Sequence, residues 1–394
     1  MTTYVETRPL IGVRPRLFTR AYNVLLFLAA VSIALIAWRF AVGLGRSTAL
    51  SDGYPWGIWI AFDVVTGTAF ACGGYALAIL VYILNKGKYH PLVRPAVLTS
   101  ALGYSIAGFS VMVDVGRPWA AWRLAKVWTW NLNSVLLEVA MCIMAYTVVL
   151  WIELAPAFLE RFKDKGPARL QAIARTTLPF FDKALIWILA LGMLLPTMHQ
   201  SSLGSLMMLA GPRLHPLWNT GWLPLFYLIT CIAMGYAIVV TEAAYSSTVF
   251  HRKPEFPLLK PLGKVAGSLG LLFVVLRFID LGIQGRLGLL GSFDLNGILF
   301  WLETVLFVVP FFLLLRNRQN LGSLLRASML VALAGGLYRF DTFLVAFNPG
   351  QGWHYFPSVT EQLITIGLVA GELAVYGAVV KYFPILSGTE GERA

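Results

Sequence analysis

Ten apolar stretches of about twenty residues or more follow one another along the chain. A run of that length with few charges has one stable home, a helix across a bilayer, because only there are all its backbone polar groups satisfied within the segment. Hydropathy places these stretches near 22–43, 58–84, 95–116, 133–154, 178–199, 223–248, 265–283, 296–316, 324–347 and 361–385. Of the 394 residues 58% are apolar and 13% are charged, against roughly 25% charged in soluble domains, so a water-soluble globule is excluded. The expectation is an all-α polytopic membrane protein, a single integral membrane domain over 1–394, with eight spans pairing into two four-helix bundles and two helices flanking them. The first span follows Arg8, Arg14, Arg16 and Arg20, but its apolar run is too long for a signal peptide and lacks a small-residue cleavage site. It reads as a retained anchor. Pro196 and the short run 203–210 suggest that the fifth span ends near His199 and that a short interfacial or re-entrant piece follows.

The formal charge of +12 does not point to nucleic acid, because the basic residues are dispersed in short runs between apolar stretches. Lys and Arg favour the N-terminal segment, alternate loops and the C-terminal segment by about three to one over the other five loops. The positive-inside rule then puts both termini in the cytoplasm. The opposite loops hold Trp56, Trp119, Trp122, Trp128, Trp130, Trp218, Trp222 and Trp353, more than an aromatic belt requires, and suggest a lid or docking surface.

Ionisable residues inside a membrane are expensive and are functional candidates for that reason. Asp63, Asp114, Glu138 and His199 fall at similar outer depths on four spans. Arg277, Asp280, Glu303, Arg339 and Asp341 fall at comparable levels on later spans, where pairing among themselves is the structural alternative. Tyr104, Glu153, Glu242 and Glu372 lie deeper or toward the inner side and, with Glu138, form steps along which a proton can pass. His90, His215, His251 and His354 fall in loops, so no pair of intramembrane histidines presents itself to a haem iron. Cys72, Cys142 and Cys231 show no metal-binding spacing, no zinc-ligand set appears, and no metal is expected. Gly67, Gly73 and Gly74 suggest close helix packing.

Several ordered strings carry a resemblance. Pro55-Trp56-Gly57-Ile58-Trp59-Ile60-Ala61-Phe62-Asp63 and Tyr89-His90-Pro91-Leu92-Val93-Arg94-Pro95-Ala96 are followed by Gly103-Tyr104-Ser105 and Val113-Asp114-Val115-Gly116-Arg117. Asn133 to Glu138, Leu195 to Ser202 and Val345 to Gly350 continue the series. Together they resemble the NrfD/polysulfide-reductase membrane-subunit family, and within it the HybB-type subunits of periplasmic nickel-iron hydrogenases. The resemblance implies a subunit without haem or iron-sulfur cluster that exchanges electrons between menaquinone or ubiquinone and a ferredoxin-like iron-sulfur subunit on the periplasmic face of the inner membrane, with the catalytic hydrogenase subunits beyond it. It implies Asp63, Asp114 and His199 as quinone-binding positions, and Arg94, Tyr104, Glu138 and Glu242 as positions for proton movement. A molybdoenzyme partner, or quinol oxidation in the reverse direction, would use the same parts. A secondary transporter and a passive membrane anchor are the readings from other classes.

Overall fold

The computed structural model describes residues 17–163, 167–250, 255–315 and 320–386. Arg8, Arg14 and Arg16, His251 and the last eight residues lie outside the described residues, and so do both termini. Ten helices are long and apolar enough to cross a membrane: α1 (Arg20–Val42), α2 (Trp59–Ile83), α3 (Gly87–Asp114), α4 (Val135–Phe162), α5 (Ala168–Leu209), α6 (Leu223–Val249), α7 (Phe256–Ile283), α8 (Leu295–Leu315), α9 (Leu321–Val345) and α10 (Val359–Tyr382). No strand occurs among the described residues, where two isolated bridges are the whole of the β pairing. Each expected span coincides with one of these helices.

Helix ends follow local chemistry. Thr19, Ser134, Asn320 and Ser358 cap α1, α4, α9 and α10 through side-chain oxygens that accept backbone N–H groups otherwise left unpaired. At α10 the cap is reciprocal, because Glu361 also accepts from the Ser358 backbone at 2.8 Å. The fifth helix departs from expectation: it does not stop at His199 but continues unbroken through Pro196 to Leu209. The carbonyl that a proline would crowd belongs to Gly192, and Thr197, Ser201 and Ser202 bond back to carbonyls one turn earlier. Gly192 leaves room for the ring, and no separate re-entrant piece forms.

Packing groups α2–α5 into one four-helix bundle and α6–α9 into a second, while α1 and α10 lie against each other and α10 also contacts α2 and α3. The bundles meet where α2 and α6 pack and where α9 touches α2. Close approach there depends on Gly235, where an added Cβ would lie 2.6 Å from the Cys72 carbonyl oxygen. Gly73 and Gly74 also serve close packing, facing Val239 and Ser100, whereas Gly67 meets only its own helix at 3.5 Å.

Two spans are irregular. The helix α2 opens with a π-helical stretch, Trp59–Thr66, and α9 closes with another, Asp341–Val345. These wide turns hold Asp63 and Asp341, both buried. Wide turns of this kind recur at functional positions.

The end at which α2, α4, α6, α8 and α10 begin carries the tryptophan-bearing loops. Four of its connections knit together: His215 N–H donates to the Ala346 carbonyl at 2.8 Å, Asn348 N–H to Arg213 at 2.7 Å, Arg286 to Asn219 at 2.5 Å, and Ala49 N–H to Glu361 Oε2 at 2.8 Å. The connection after α3 stands apart, with Trp119, Trp122 and Trp128 exposed, the last to 81%. Two other tryptophans turn inward, Trp56 half-buried and Trp218 buried. Trp56 donates to the Phe343 carbonyl at 2.9 Å, and Trp218 is buried on Glu303.

Candidate functional site

The sequence-predicted residues fall into three places. At the tryptophan-bearing end, Leu44, Leu50, Ser51, Asp52, Tyr54, Pro55, Asp114, Val115 and Gly116 line a pocket of about 400 Å³. That volume lies in the range of small-molecule sites. Two of its polar atoms, Asp114 Oδ1 and Ser51 Oγ, are shielded from solvent and have no hydrogen-bond partner. Shielded polar groups are almost always bonded, so such a pair marks a place where a polar ligand completes the structure. Arg39, buried on α1, donates to the Val115 carbonyl at 2.6 Å and lies near the Asp114 carboxyl.

The pocket wall is rigid because Glu361 anchors it. This buried carboxylate accepts from Ala49 N–H at 2.8 Å, Ser358 N–H at 2.8 Å and the Tyr355 hydroxyl at 2.7 Å. Tyr355 in turn accepts from Ile58 N–H at 2.8 Å and stacks on Tyr54. Burial first, and the neighbouring Glu361 charge second, push the Tyr355 phenol well above its ordinary range, and burial pushes Tyr54 upward too. Both phenols therefore remain hydrogen-bond donors.

One turn below Asp114 on α3, Ser110 donates to Asp63 Oδ2 at 3.3 Å, and Thr365 of α10 donates to the same oxygen at 3.2 Å. Asp63 Oδ1 has no partner. Asp63 of α2 is thus tied to α3 one turn further along the helix than Asp114.

His199 occupies a second place, on the other side of α2. Its surroundings define its tautomer. Arg339 donates to Gln200 Oε1 at 2.8 Å, so the Gln200 amide nitrogen faces Thr68 and donates to its hydroxyl at 3.1 Å. The Thr68 proton goes to the Val64 carbonyl at 2.6 Å. The contact between His199 Nε2 and Thr68 Oγ1, at 3.2 Å, then requires the proton on Nε2. Nδ1 makes no hydrogen bond of normal geometry and lies beside the backbone of Val139 on α4. The Tyr104 ring packs edge-on to His199 at 5.5 Å and to Tyr146 at 4.6 Å. Tyr104, expected as a deep proton step, is therefore a neighbour of His199.

The remaining candidates are dispersed. Glu138 lies in the first turn of α4, half-buried, one residue before the Val139 backbone that faces His199. Arg94 is locked to Glu160 by two bonds of 2.8 and 2.7 Å at the opposite end of the molecule. Glu242 accepts from the Tyr376 hydroxyl, joining α6 to α10. Glu153 lies against Gly192, and Glu372 against Gly103.

Sequence reading missed Thr68, Gln200 and Thr230, uncharged residues with no signal except their place inside apolar spans. It grouped Arg339 with the acidic residues of the later spans, yet this buried guanidinium bonds Gln200, Thr230 Oγ1 at 2.8 Å and the Tyr227 carbonyl at 2.9 Å. Arg277 follows the pairing expectation, with Glu303 at 2.5 Å.

Comparison with known proteins places this architecture. Residues 46–346 match the polysulphide reductase NrfD family. The chain is 42% identical over 364 residues to the probable Ni/Fe-hydrogenase 2 b-type cytochrome subunit of Escherichia coli (strain K12), covering 91% of this chain and 90% of that protein. It is 29% identical over 247 residues to the menaquinone reductase integral membrane subunit of Nitratidesulfovibrio vulgaris, covering 61% and 57%. A second protein of that organism is 31% identical over 369 residues, covering 90% and 92%.

The first of these names corrects one expectation. A b-type cytochrome subunit points to haem, against the reading of a chain without it. The described residues do not supply the usual pair of axial histidines: His199 lies inside α5, His90 is exposed in the opening turn of α3, and His215 and His354 lie in loops. Among the described residues no cluster of three or more metal-ligating side chains occurs.

Ten apolar helices in two bundles, a line of buried polar residues entering from one end, and a match over most of the length lead to one assignment: the chain belongs to the polysulphide reductase NrfD family of membrane subunits.

Proposed function

We propose that this chain is the quinone-reactive membrane subunit of a respiratory oxidoreductase, a nickel-iron hydrogenase in the first instance. It exchanges electrons with an iron-sulfur subunit seated on the tryptophan-bearing end, in a bacterial inner membrane with both termini cytoplasmic. The observation that carries the reading is the pocket with two unpartnered polar atoms, Ser51 Oγ and Asp114 Oδ1. A quinone ring is flat and apolar with oxygens at its ends, so it suits a cleft that combines apolar walls, here Leu44, Leu50, Pro55 and Val115, with convergent polar groups. Ser51 donates to a quinone carbonyl. Asp114 donates in its acid form and accepts from a quinol hydroxyl in its ionised form, which lets one residue serve both redox states.

Quinone reduction consumes two protons. Ser110 and Asp63 stand directly below Asp114 and form the first step of a supply. His199, whose Nδ1 makes no hydrogen bond of normal geometry, is the second site at which a quinol hydroxyl or a transferring proton finds a partner. Glu138, Tyr104 and Glu242 are the further steps in this reading, and Arg94 holds the far end in place through Glu160. The names of the hydrogenase and menaquinone reductase relatives support the same chemistry.

The test is hydrogen-dependent quinone reduction by the purified complex in liposomes, comparing native protein with Asp114→Asn, His199→Ala and Glu138→Gln, each checked for assembly. The expected result is at least a tenfold loss in Asp114→Asn, equivalent to about 1.4 kcal/mol in the barrier. Unchanged rates in all three assembled variants would instead make the chain a passive anchor.

A further inference from the structure

The second bundle contains a charged cluster that the proposed quinone chemistry does not use. Arg277 of α7 is enclosed by the rings of Trp218, Phe273, Phe300 and Tyr338, with its guanidinium 4.0 Å from the Phe300 centroid. It donates to Glu303 Oε2 of α8 at 2.5 Å, and Trp218 donates to Glu303 Oε1 at 3.1 Å. Glu303 is fully buried. Each of its oxygens has a donor and the two charges cancel, with Arg277 Nη2 left without a hydrogen bond.

Asp341 is the surplus. It is 1% exposed, sits in the π-helical turn that ends α9, and receives no hydrogen bond on either carboxyl oxygen. Its carboxyl lies within hydrogen-bonding reach of Glu303. Two ionised carboxylates in contact cannot bond each other, because neither has a hydrogen to give, and one Arg neutralises only one of them. The other groups facing this turn do not resolve the imbalance: Tyr227 of α6 is bonded to Thr342, and Arg339 is turned toward Gln200 and Thr230. A single proton resolves it. An Asp341 acid donates its O–H to Glu303, Asp341 acquires the partner it lacks, and the three residues sum to zero charge.

We infer that Asp341 and Glu303 hold one proton between them, making a proton-binding site in the α6–α9 bundle separate from the pocket and from the His199 network. No electron moves and no bond other than O–H changes: the proton leaves or rejoins a carboxyl oxygen, and Arg277 stays paired with Glu303 in both states. Trp218, from the loop before α6, covers the site on the tryptophan-bearing side, and His215 lies next to it with ring centroids 5.7 Å apart.

Infrared spectroscopy of the purified complex at neutral pH, in H₂O and in D₂O, tests this directly through the carbonyl stretch that only protonated carboxylic acids show. Asp341→Asn removes one such deuterium-sensitive band from the native spectrum. Glu303→Gln removes the same band, because Arg277 then pairs with an ionised Asp341, so the inference stands on either variant should the other fail to assemble. A spectrum unchanged in the assembled variants overturns it. So does a band that appears only when sodium is withdrawn, which would assign the site to a metal cation. A packing role for Asp341 alone would alter stability and leave the band in place.

Discussion

At the scale of single residues, the consequential groups are buried polar side chains whose partners can be counted. Glu361 has three donors and no spare charge nearby except Arg39 and Asp114. Glu361→Ala leaves Ala49 N–H, Ser358 N–H and the Tyr355 hydroxyl without their acceptor, each at roughly 1–3 kcal/mol. The variant is expected to lose about 3–5 kcal/mol in all and to melt well below the native protein in detergent. A melting curve within error of native would show that water replaces the carboxylate. His215 provides a pH test. Burial holds its imidazole below the ordinary histidine value, with Asp294 opposing, and its Nδ1 accepts from Leu217 N–H at 3.3 Å. A depressed value means that the unfolded chain binds the proton more readily. Its contribution is therefore complete above the unfolded value of about 6.5 and is lost as pH falls through the lower folded value. Native protein should lose more melting temperature between pH 7 and pH 5 than His215→Gln does, and equal losses would exclude the residue as the source.

At the scale of elements, what could be read from sequence divides cleanly by physical cause. Span number and position were legible because each span obeys one requirement, sufficient apolar length. The continuation of α5 past His199 was not, since a proline's effect depends on whether a glycine leaves room for its ring. Nor were the π-helical turns, because a one-residue shift in hydrogen bonding leaves no mark in composition. These turns reorient Asp63 and Asp341, which is why hydropathy assigned both residues to spans but could not state their neighbours. The interface of α2 with α6 gives the prediction at this scale. Gly235→Ala puts a methyl 2.6 Å from a backbone carbonyl oxygen that cannot swing away, so it should destabilise the protein by about 1–3 kcal/mol. Gly67→Ala, with 3.5 Å of clearance, should cost far less, and paired thermal melts decide between them.

At the scale of the whole molecule, the two bundles differ in how they treat charge. The α2–α5 bundle keeps unpartnered polar atoms along a line that begins at a pocket, at Ser51, Asp114 and Asp63, and leaves His199 Nδ1 without a hydrogen bond of normal geometry. The α6–α9 bundle pairs Arg277 with Glu303 under aromatic rings and leaves Asp341 beside the pair with no hydrogen bond. Candidate residues were legible as charges in apolar runs, and all seven placed by family resemblance lie within the spans at buried or half-buried positions, Arg94 in a half-buried ion pair. Their grouping was not legible. Asp63 bonds α3 one turn from Asp114, His199 packs against Tyr104, and Arg94 and Glu242 hold helices together toward the other end. The central claim is that quinone binds in the pocket beside Asp114. Photolabelling the purified complex with an azidoquinone, followed by mapping of the modified peptides, tests it most directly: the account predicts label within residues 44–55 or 114–116 that excess quinone displaces, and displaceable label confined to other segments would contradict it.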